Sequence, residues 1–266
     1  MKLALDRQTV DVVIPNYNRY EKLLRAVDSV LGQSTNALEN IFILDDGSPD
    51  DLNESIENYY RKEKRVILKR MPHQGNPGEL RKLGVVNSNS KFVAFLDSDD
   101  WWEAHKLETQ LSAILDSGAI ACSSNAQSWK VDGTQKFFVD HKSIPTRLHF
   151  KDLISENFVI NSSMLVSRAA LKQIGFYASN IKVKSVEDYA TWLRLSTIGP
   201  VQYVNQVLMH YSDSDPKSSI RNINLSDPRY LAIEDFLLWS REIADLDKSY
   251  SSLAQQELLK LKDGSI

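Results

Sequence analysis

The sequence predicts an α/β fold. A Rossmann-like, mostly parallel central sheet is flanked by helices, with a smaller mixed subregion after it and a C-terminal helical tail. Three observations carry this. Over the first hundred residues, short apolar runs alternate with segments of helical period, the pattern of successive βαβ units. The runs are near-continuously apolar, as strands covered on both faces must be. Polar clusters follow three of the runs directly: PNYNR after the first, DDGSPDD after the second and DSDDWW after the fourth. In sheets of this kind ligands bind beyond the carboxyl ends of the strands.

Val10 to Ile14 reads as the first strand, with Pro15 stopping it. Glu21 to Leu31 follows as an amphipathic helix, because Leu23, Leu24, Val27, Val30 and Leu31 fall on one stripe. Ile41 to Leu44 is the second strand. In the SPDDLNESIENYY segment after it, Ser48 is placed to cap a helix, with Pro49 at the first helical position and Asp51 three residues after the cap. Val66 to Leu68 is a short third strand. GNPGELRKLGVV, Gly75 to Val86, is a Gly/Pro loop running into a helix, and Phe92 to Leu96 is the fourth strand.

Beyond residue 103 the pattern loosens. Lys106 to Leu115 is helical, Ala119 to Ser123, Lys136 to Val139 and Asn161 to Val166 read as strands, 185 to 195 is a helix, and Val201 to Tyr211 forms one or two strands. The stretch 212 to 228 is polar, Ser-rich and broken by proline, which predicts a mobile loop. A final helical segment from about Tyr230 carries Phe236, Leu237, Leu238 and Trp239. Packing on the core is its first reading, ahead of resting on a membrane or pairing with a second subunit.

With 266 residues, 42% hydrophobic and 25% charged, the chain can bury the core of one large domain or of two intimately joined halves. A formal net charge of -3 argues against a general electrostatic grip on nucleic acid. The single cysteine, Cys122, cannot close an internal disulfide and reads as a small buried apolar residue. MKLALDRQTV turns polar too soon for a secretory signal, and no apolar stretch approaches the roughly 20 residues that span a bilayer. A cytoplasmic protein is the expectation. Peripheral attachment at the inner face of the plasma membrane and homo-oligomer formation stay open.

The Phe92 to Leu96 run ends in Asp97, Asp99 and Asp100 within four positions, and Trp101 and Trp102 follow at once. Like charges that close raise one another's pKa, so something positive belongs among them. One reading makes Asp99 or Asp100 the cap of a helix beginning near Trp101. The other takes Asp97, Ser98, Asp99 as a hard-cation site, because Mg²⁺ or Mn²⁺ binds through one or two carboxylates plus substrate phosphates. In the second half, Ser185 to Asp188 reads either as a capping box or as a source of a general base. Asp188 shares a helical face with Trp192 and Leu195, whereas Glu187 lines up with Thr191 and Arg194. An acid on an apolar, aromatic surface is desolvated toward a useful base, which favours Asp188.

Six segments in order, VDVVIPNYNR, LLRAVDSVLGQS, IFILDDGSPDD, GNPGELRKLGVV, FVAFLDSDDWW and SVEDYATWLRL, resemble the inverting nucleotide-sugar glycosyltransferases of family 2, with the GT-A fold, over roughly residues 9 to 212. The resemblance implies a nucleotide-sugar-binding half, 1–102, an acceptor-binding half of the same domain, 103–212, and a mobile loop with a helical segment, 213–266. It implies that Tyr17 packs against the base, that the backbone near Pro15 lines the pocket, and that Asp46 accepts a hydrogen bond from the base, most naturally from uracil N3. Asp97 then faces the ribose, and Asp99 is the direct ligand of the Mn²⁺ or Mg²⁺ that bridges the diphosphate. Arg81 stands near the nucleotide, although the family's usual Arg-Asn pair here reads Arg81, Lys82. Glu187 and Asp188 match the family's Glu-Asp pair, whose aspartate deprotonates the acceptor hydroxyl. His210 joins the metal shell or the diphosphate contact. Trp101 and Trp102 stack on sugar faces or close the core, with Trp102 placed toward the pocket.

The activity so implied is metal-dependent, inverting transfer from a nucleotide-sugar, a UDP-sugar first, to a glycan or lipid-linked oligosaccharide in bacterial surface polysaccharide synthesis. A sugar-nucleotide-binding module without turnover is the alternative from another class. A sugar nucleotidyltransferase would open with a Gly-rich loop where this chain has PNYNR.

Overall fold

The computed structural model describes residues 5, 7–130, 133–138, 144–212 and 227–263. Strands β1 (Val10–Asn16), β2 (Leu38–Asp45), β3 (Val66–Arg70) and β4 (Phe92–Phe95) lie parallel in the order β3-β2-β1-β4. Helices α1 (Tyr20–Leu31), α2 (Asp50–Tyr59) and α3 (Pro77–Asn87) make the crossovers. Every residue of β1 is buried, as a central strand requires. Alternation sends Val12 and Ile14 to one face, where they meet Leu23, Val27 and Leu107, and Val13 to the other, with Phe95, Trp192 and Phe236. Helix α3 presses on that second face at Gly84, where a Cβ would lie 2.4 Å from Val13 Cγ1.

The second half adds β5 (Trp101–Trp102), α4 (Lys106–Ser117), β6 (Ala121–Trp129), β7 (Gln135–Phe137), β8 (Arg147–Leu148), α5 (Phe150–Ser155), β9 (Leu165–Ser167), α6 (Arg168–Gln173), α7 (Glu187–Leu195) and β10 (Val201–Ser212). β9 lies antiparallel between β4 and β6, β10 runs parallel to β6, and β5 pairs antiparallel with β10 at the edge. Parallel and antiparallel halves thus form one sheet. Helices α8 (Arg229–Ser240) and α9 (Lys248–Asp263) complete the tail. Phe236 and Ile233 are buried in the core on α8, in keeping with the packing expectation. Among the described residues no helix is long and apolar enough to cross a membrane.

Several local expectations need correction. Pro15 does not stop β1, which runs on to Asn16 with Pro15 in register with Leu44. Ser48 does not cap α2. Its hydroxyl is committed instead to Asp45 Oδ1 and to the amide of Asn18, and α2 starts at Asp50 without a side-chain cap. Trp101 and Trp102 open no helix, because they pair with His210 and Met209 across β10; α4 therefore begins at Lys106, and neither Asp99 nor Asp100 caps it. Asn161–Ser163 is a 3₁₀ turn and the strand proper is Leu165–Ser167. The final segment is two helices. Most of the 212 to 228 stretch, residues 213–226, and Val139 lie outside the described residues.

Candidate active site

The parallel order brings the carboxyl ends of β1, β2 and β4 side by side, and with them Asn16, Asp45, Asp46 and Asp97. Asp45 is fully spent inside the fold. Its carboxylate accepts from Asn16 Nδ2 at 2.9 Å, from the Ser48 amide at 2.8 Å and hydroxyl at 2.6 Å, and from Asn53 Nδ2 at 3.3 Å. It is the pin of the turn after β2. Asp46 reaches out of that turn, and its two oxygens accept from the amides of Gln74 and Gly75, each at 2.8 Å. His73 Nδ1 donates to the Asp46 carbonyl at 2.8 Å, and its ring stacks on Tyr17 with centroids 4.3 Å apart. The close approach depends on Gly47, at φ +76°, where a Cβ would stand 2.8 Å from the His73 amide. Tyr17 and Asp46 therefore share one wall with the 73–75 loop, Pro15 is buried within β1, and Tyr17 keeps 44% of its surface exposed.

Beside this wall lies a buried ionic group. Arg81, on α3, donates through Nη1 to Glu187 Oε1 at 2.7 Å and through Nη2 to Asp97 Oδ1 at 2.6 Å. Asp97 Oδ1 also accepts from Asn161 Nδ2 at 2.9 Å, and Tyr177 donates its hydroxyl to Asn161 Oδ1 at 2.8 Å. Glu187 is buried and its Oε2 has no hydrogen-bond partner. The alignment of Glu187 with Thr191 and Arg194, which from the residue types alone would make a more polar face, does not leave Glu187 on a solvated side of α7. The helix is buried nearly all round, Thr191 is fully covered, and Arg81 draws Glu187 inward. Asp188, next in sequence, is partly exposed. Its pKa is pushed up to about 7, by burial first and the charge of Glu187 second, against the pull of Arg81 and the hydrogen bond from the Tyr189 amide.

The three aspartates after β4 are kept apart by different partners. Asp97 takes Arg81 and Asn161. Asp99 pairs with Arg19 Nη1 at 2.9 Å, while Arg25 Nη2 donates to its carbonyl at 2.7 Å. Asp100 turns inward and accepts from Ser162 Oγ at 2.5 Å. Burial raises the pKa of Asp99, which Arg19 opposes and Asp97 reinforces, and it raises that of Asp100 further. Arg19, Arg25 and Arg81 are the positive charges that the cluster calls for.

His210 lies on β10 with Nδ1 accepting from Trp129 Nε1 at 3.1 Å and Nε2 donating to Glu103 Oε1 at 2.6 Å. Both ring nitrogens are engaged by these neighbours rather than turned to Asp99. Trp101 is stacked on His210 on one side, 5.2 Å between centroids, and covered by the Arg25 guanidinium at 3.7 Å. Trp102 is buried, donates Nε1 to the Ser162 carbonyl at 2.8 Å and lies under Lys106, so it closes the core and does not line a pocket. Among the described residues no three His, Cys, Asp or Glu side chains cluster as a metal cage. One or two strand-end carboxylates, Asp99 and Asp97, are nevertheless the donor set that a hard cation shares with phosphates. Sequence reasoning missed Arg19, His73, Asn161, Ser162 and Tyr177 as parts of this site. Only Arg19 carried a signal, as the cation of PNYNR.

The sequence pattern of glycosyl transferase family 2 matches residues 11–175, more than half of the chain. The chain belongs to this family. An uncharacterized glycosyltransferase of Rickettsia bellii is 30% identical over 196 residues, 74% of this chain and 27% of that protein. The putative teichuronic acid biosynthesis glycosyltransferase TuaG of Bacillus subtilis is 29% identical over 203 residues, 76% of this chain and 78% of TuaG. The chain spans about a quarter to a third of the length of the Rickettsia relatives it matches. Among solved structures, S. aureus TarS 1–349 in complex with UDP-GlcNAc superposes with a TM-score of 0.74 at 15% identity, covering 96% of this chain and 73% of that one. The family 2 chain thus has the GT-A fold expected from its motifs.

Proposed function

We propose that this family 2 chain transfers a sugar from a nucleotide-sugar, a UDP-sugar first, to a hydroxyl of a glycan or lipid-linked saccharide, with inversion at the anomeric carbon. The observation that carries the reading is Asp188. It is a carboxylate with its pKa raised to about 7, next to the buried Glu187–Arg81–Asp97 group and within electrostatic reach of Asp97 at the end of β4. A general base works best with a pKa close to the operating pH. The TarS complex with UDP-GlcNAc supports a UDP-sugar by analogy of fold, and the name of TuaG supports a polysaccharide acceptor.

In this proposal residues 1–102 form the donor half and residues 103–212 the acceptor half, with a C-terminal segment, 213–266, that contributes helices α8 and α9. Tyr17 and the backbone at Pro15 hold the base, Asp46 accepts from it with the capacity left beside its two amide bonds, and Asp97 turns its second oxygen to the ribose. Arg81 fixes Asp97. Asp99 would hold Mn²⁺ or Mg²⁺ once Arg19 gives way, and His210 would join only by leaving Glu103. Such a cation supplies charge neutralisation to the departing diphosphate. Asp188 takes the acceptor proton as that oxygen attacks from the face opposite the nucleotide. The new C–O bond forms as the anomeric C–O bond to phosphate breaks, the electron pair leaves with UDP, and the proton stays on Asp188. Glu187, tied to Arg81, keeps Asp188 basic.

The test is thermal stability with UDP, GDP, ADP and dTDP, each with and without Mn²⁺. A ligand bound only by the folded state raises the melting temperature by mass action. The proposal expects a shift with UDP that needs the metal and is lost in Asp99→Asn. No shift with any nucleotide overturns the donor site.

A further inference from the structure

We propose that Tyr177 and Asn161 are positioning residues that fix the rotamer of Asp97, and through it the recognition of the ribose hydroxyls of the donor. The inference rests on the reading of Asp97 as a donor-side carboxylate and adds two residues that no motif marks. Tyr177 and Asn161 are both buried, while the Asp97 side chain keeps 33% of its surface open. The chain of bonds runs outward from core to cleft: Tyr177 hydroxyl to Asn161 Oδ1, 2.8 Å, then Asn161 Nδ2 to Asp97 Oδ1, 2.9 Å.

Its polarity is dictated by chemistry. An ionised carboxylate only accepts, so the amide must turn its NH₂ to Asp97, which leaves Oδ1 facing the one strong donor at hand, the Tyr177 hydroxyl. Arg81 Nη2 reaches the same Asp97 oxygen at 2.6 Å, and Ser162 Oγ accepts from the Asp97 amide at 3.0 Å. One carboxylate oxygen is thereby consumed inside the protein and its partner is presented outward. Without the amide, Arg81 alone would hold Asp97, and a single charge contact fixes a rotamer far less closely than two convergent donors do.

Tyr177 is itself held unusually firmly. Its ring packs edge-on against Phe95, centroids 5.0 Å apart, and against Trp192 at 5.8 Å. The residue before it, Phe176, has φ +69°, a left-handed conformation that a bulky side chain rarely adopts. Residues held in such conformations persist only where the surroundings over-determine them, and they gather at functional sites. Here that backbone turn ends α6 and delivers the Tyr177 hydroxyl beneath Asn161.

The experiment compares UDP with 2′-deoxy-UDP and 3′-deoxy-UDP, in MgCl₂, by titration calorimetry on wild type, Tyr177→Phe and Asn161→Asp. Tyr177→Phe keeps the ring and its packing, and Asn161→Asp keeps the shape while setting a like charge against Asp97. Wild type should bind UDP about tenfold more tightly than at least one deoxy analogue. Tyr177→Phe should lose roughly three- to tenfold for UDP with little change for that analogue, and Asn161→Asp should abolish the discrimination. Equal discrimination in all three proteins overturns the inference, as does an equal loss for UDP and both analogues that tracks a lowered melting temperature. Wild type that binds no uridine nucleotide at all instead overturns the functional reading beneath it.

Discussion

Replacing Asp188 by Asn should stabilise the protein at pH 8, and the sign of that effect separates a strained base from a helix cap. The folded-state pKa of Asp188 is about 7 against an ordinary 3.8, through burial and the adjoining Glu187 charge. Below 3.8 the carboxyl is protonated in both folded and unfolded chains, and no penalty exists. Between 3.8 and 7 the folded chain holds the proton more firmly, so stability falls as pH rises; above 7 both are ionised and the penalty is constant. At about 1.4 kcal/mol per pH unit the full effect is on the order of 4 kcal/mol. Solvent reaching the partly exposed side chain lowers this to roughly 2–3 kcal/mol. Asp188→Asn keeps the side-chain oxygen that accepts from the Tyr189 amide, at 2.7 Å in the parent. Urea denaturation of both proteins at pH 5 and pH 8 is the assay. The variant should be the more stable one at pH 8, with the gap narrowing at pH 5. If Asp188 instead serves the helix dipole, its removal destabilises by about 0.3–1 kcal/mol at both pH values. That result would refute the argument.

Glu187→Gln removes the charge that raises the Asp188 pKa and also frees the Arg81 charge to lower it, so with Asp188 as the proposed base the acid limb of the pH–rate profile, expected near 7 in wild type, should move down by about one pH unit. An upward move contradicts this. Lys106 is fully buried, with Nζ on Gln110 Oε1 at 2.6 Å and over the Trp102 ring at 4.0 Å, and burial lowers its pKa from 10.5 to about 7. Its depressed pKa means that stability is lost as pH falls from about 10.5 to 7. Lys106→Met should therefore raise stability at pH 7 by roughly 1–3 kcal/mol and flatten the dependence above it, read from urea midpoints at pH 7 and 9.5. Gly84→Ala drives a Cβ to 2.4 Å from Val13 Cγ1, and overpacking of this kind should cost about 1–3 kcal/mol by the same measurement.

The fold of the first hundred residues was legible because strands covered on both faces write themselves as apolar runs, and the parallel order then delivers whatever follows each run to one end of the sheet. PNYNR, DDGSPDD and DSDDWW are therefore readable as neighbours from the sequence pattern. The second half was less legible where pairing is long-range. Trp101 and Trp102 look like a helix start beside capping aspartates, yet their conformation is set by β10, a hundred residues on. Periodicity likewise assigns faces only when a helix has a wet side, and α7 has almost none, so Glu187 could not be ranked against Asp188 that way. Asn161 and Tyr177 had no local signature at all. Their meaning lies in two hydrogen bonds to partners 16 and 64 positions away.

The seat of β9 between β4 and β6 bears on how this chain can be made and cut. β4 is the four apolar residues Phe92–Phe95, and its outer edge stays unpaired until Leu165–Ser167 has emerged and docked antiparallel upon it. A nascent or truncated chain ending before residue 165 therefore shows solvent a bare hydrophobic strand edge, a template for pairing with another molecule. The first hundred residues therefore leave the β4 edge uncovered when separated from Leu165–Ser167. The segment that covers this edge is also the one that brings Asn161, so covering the β4 edge and completing the partners of Asp97 depend on the same stretch of chain.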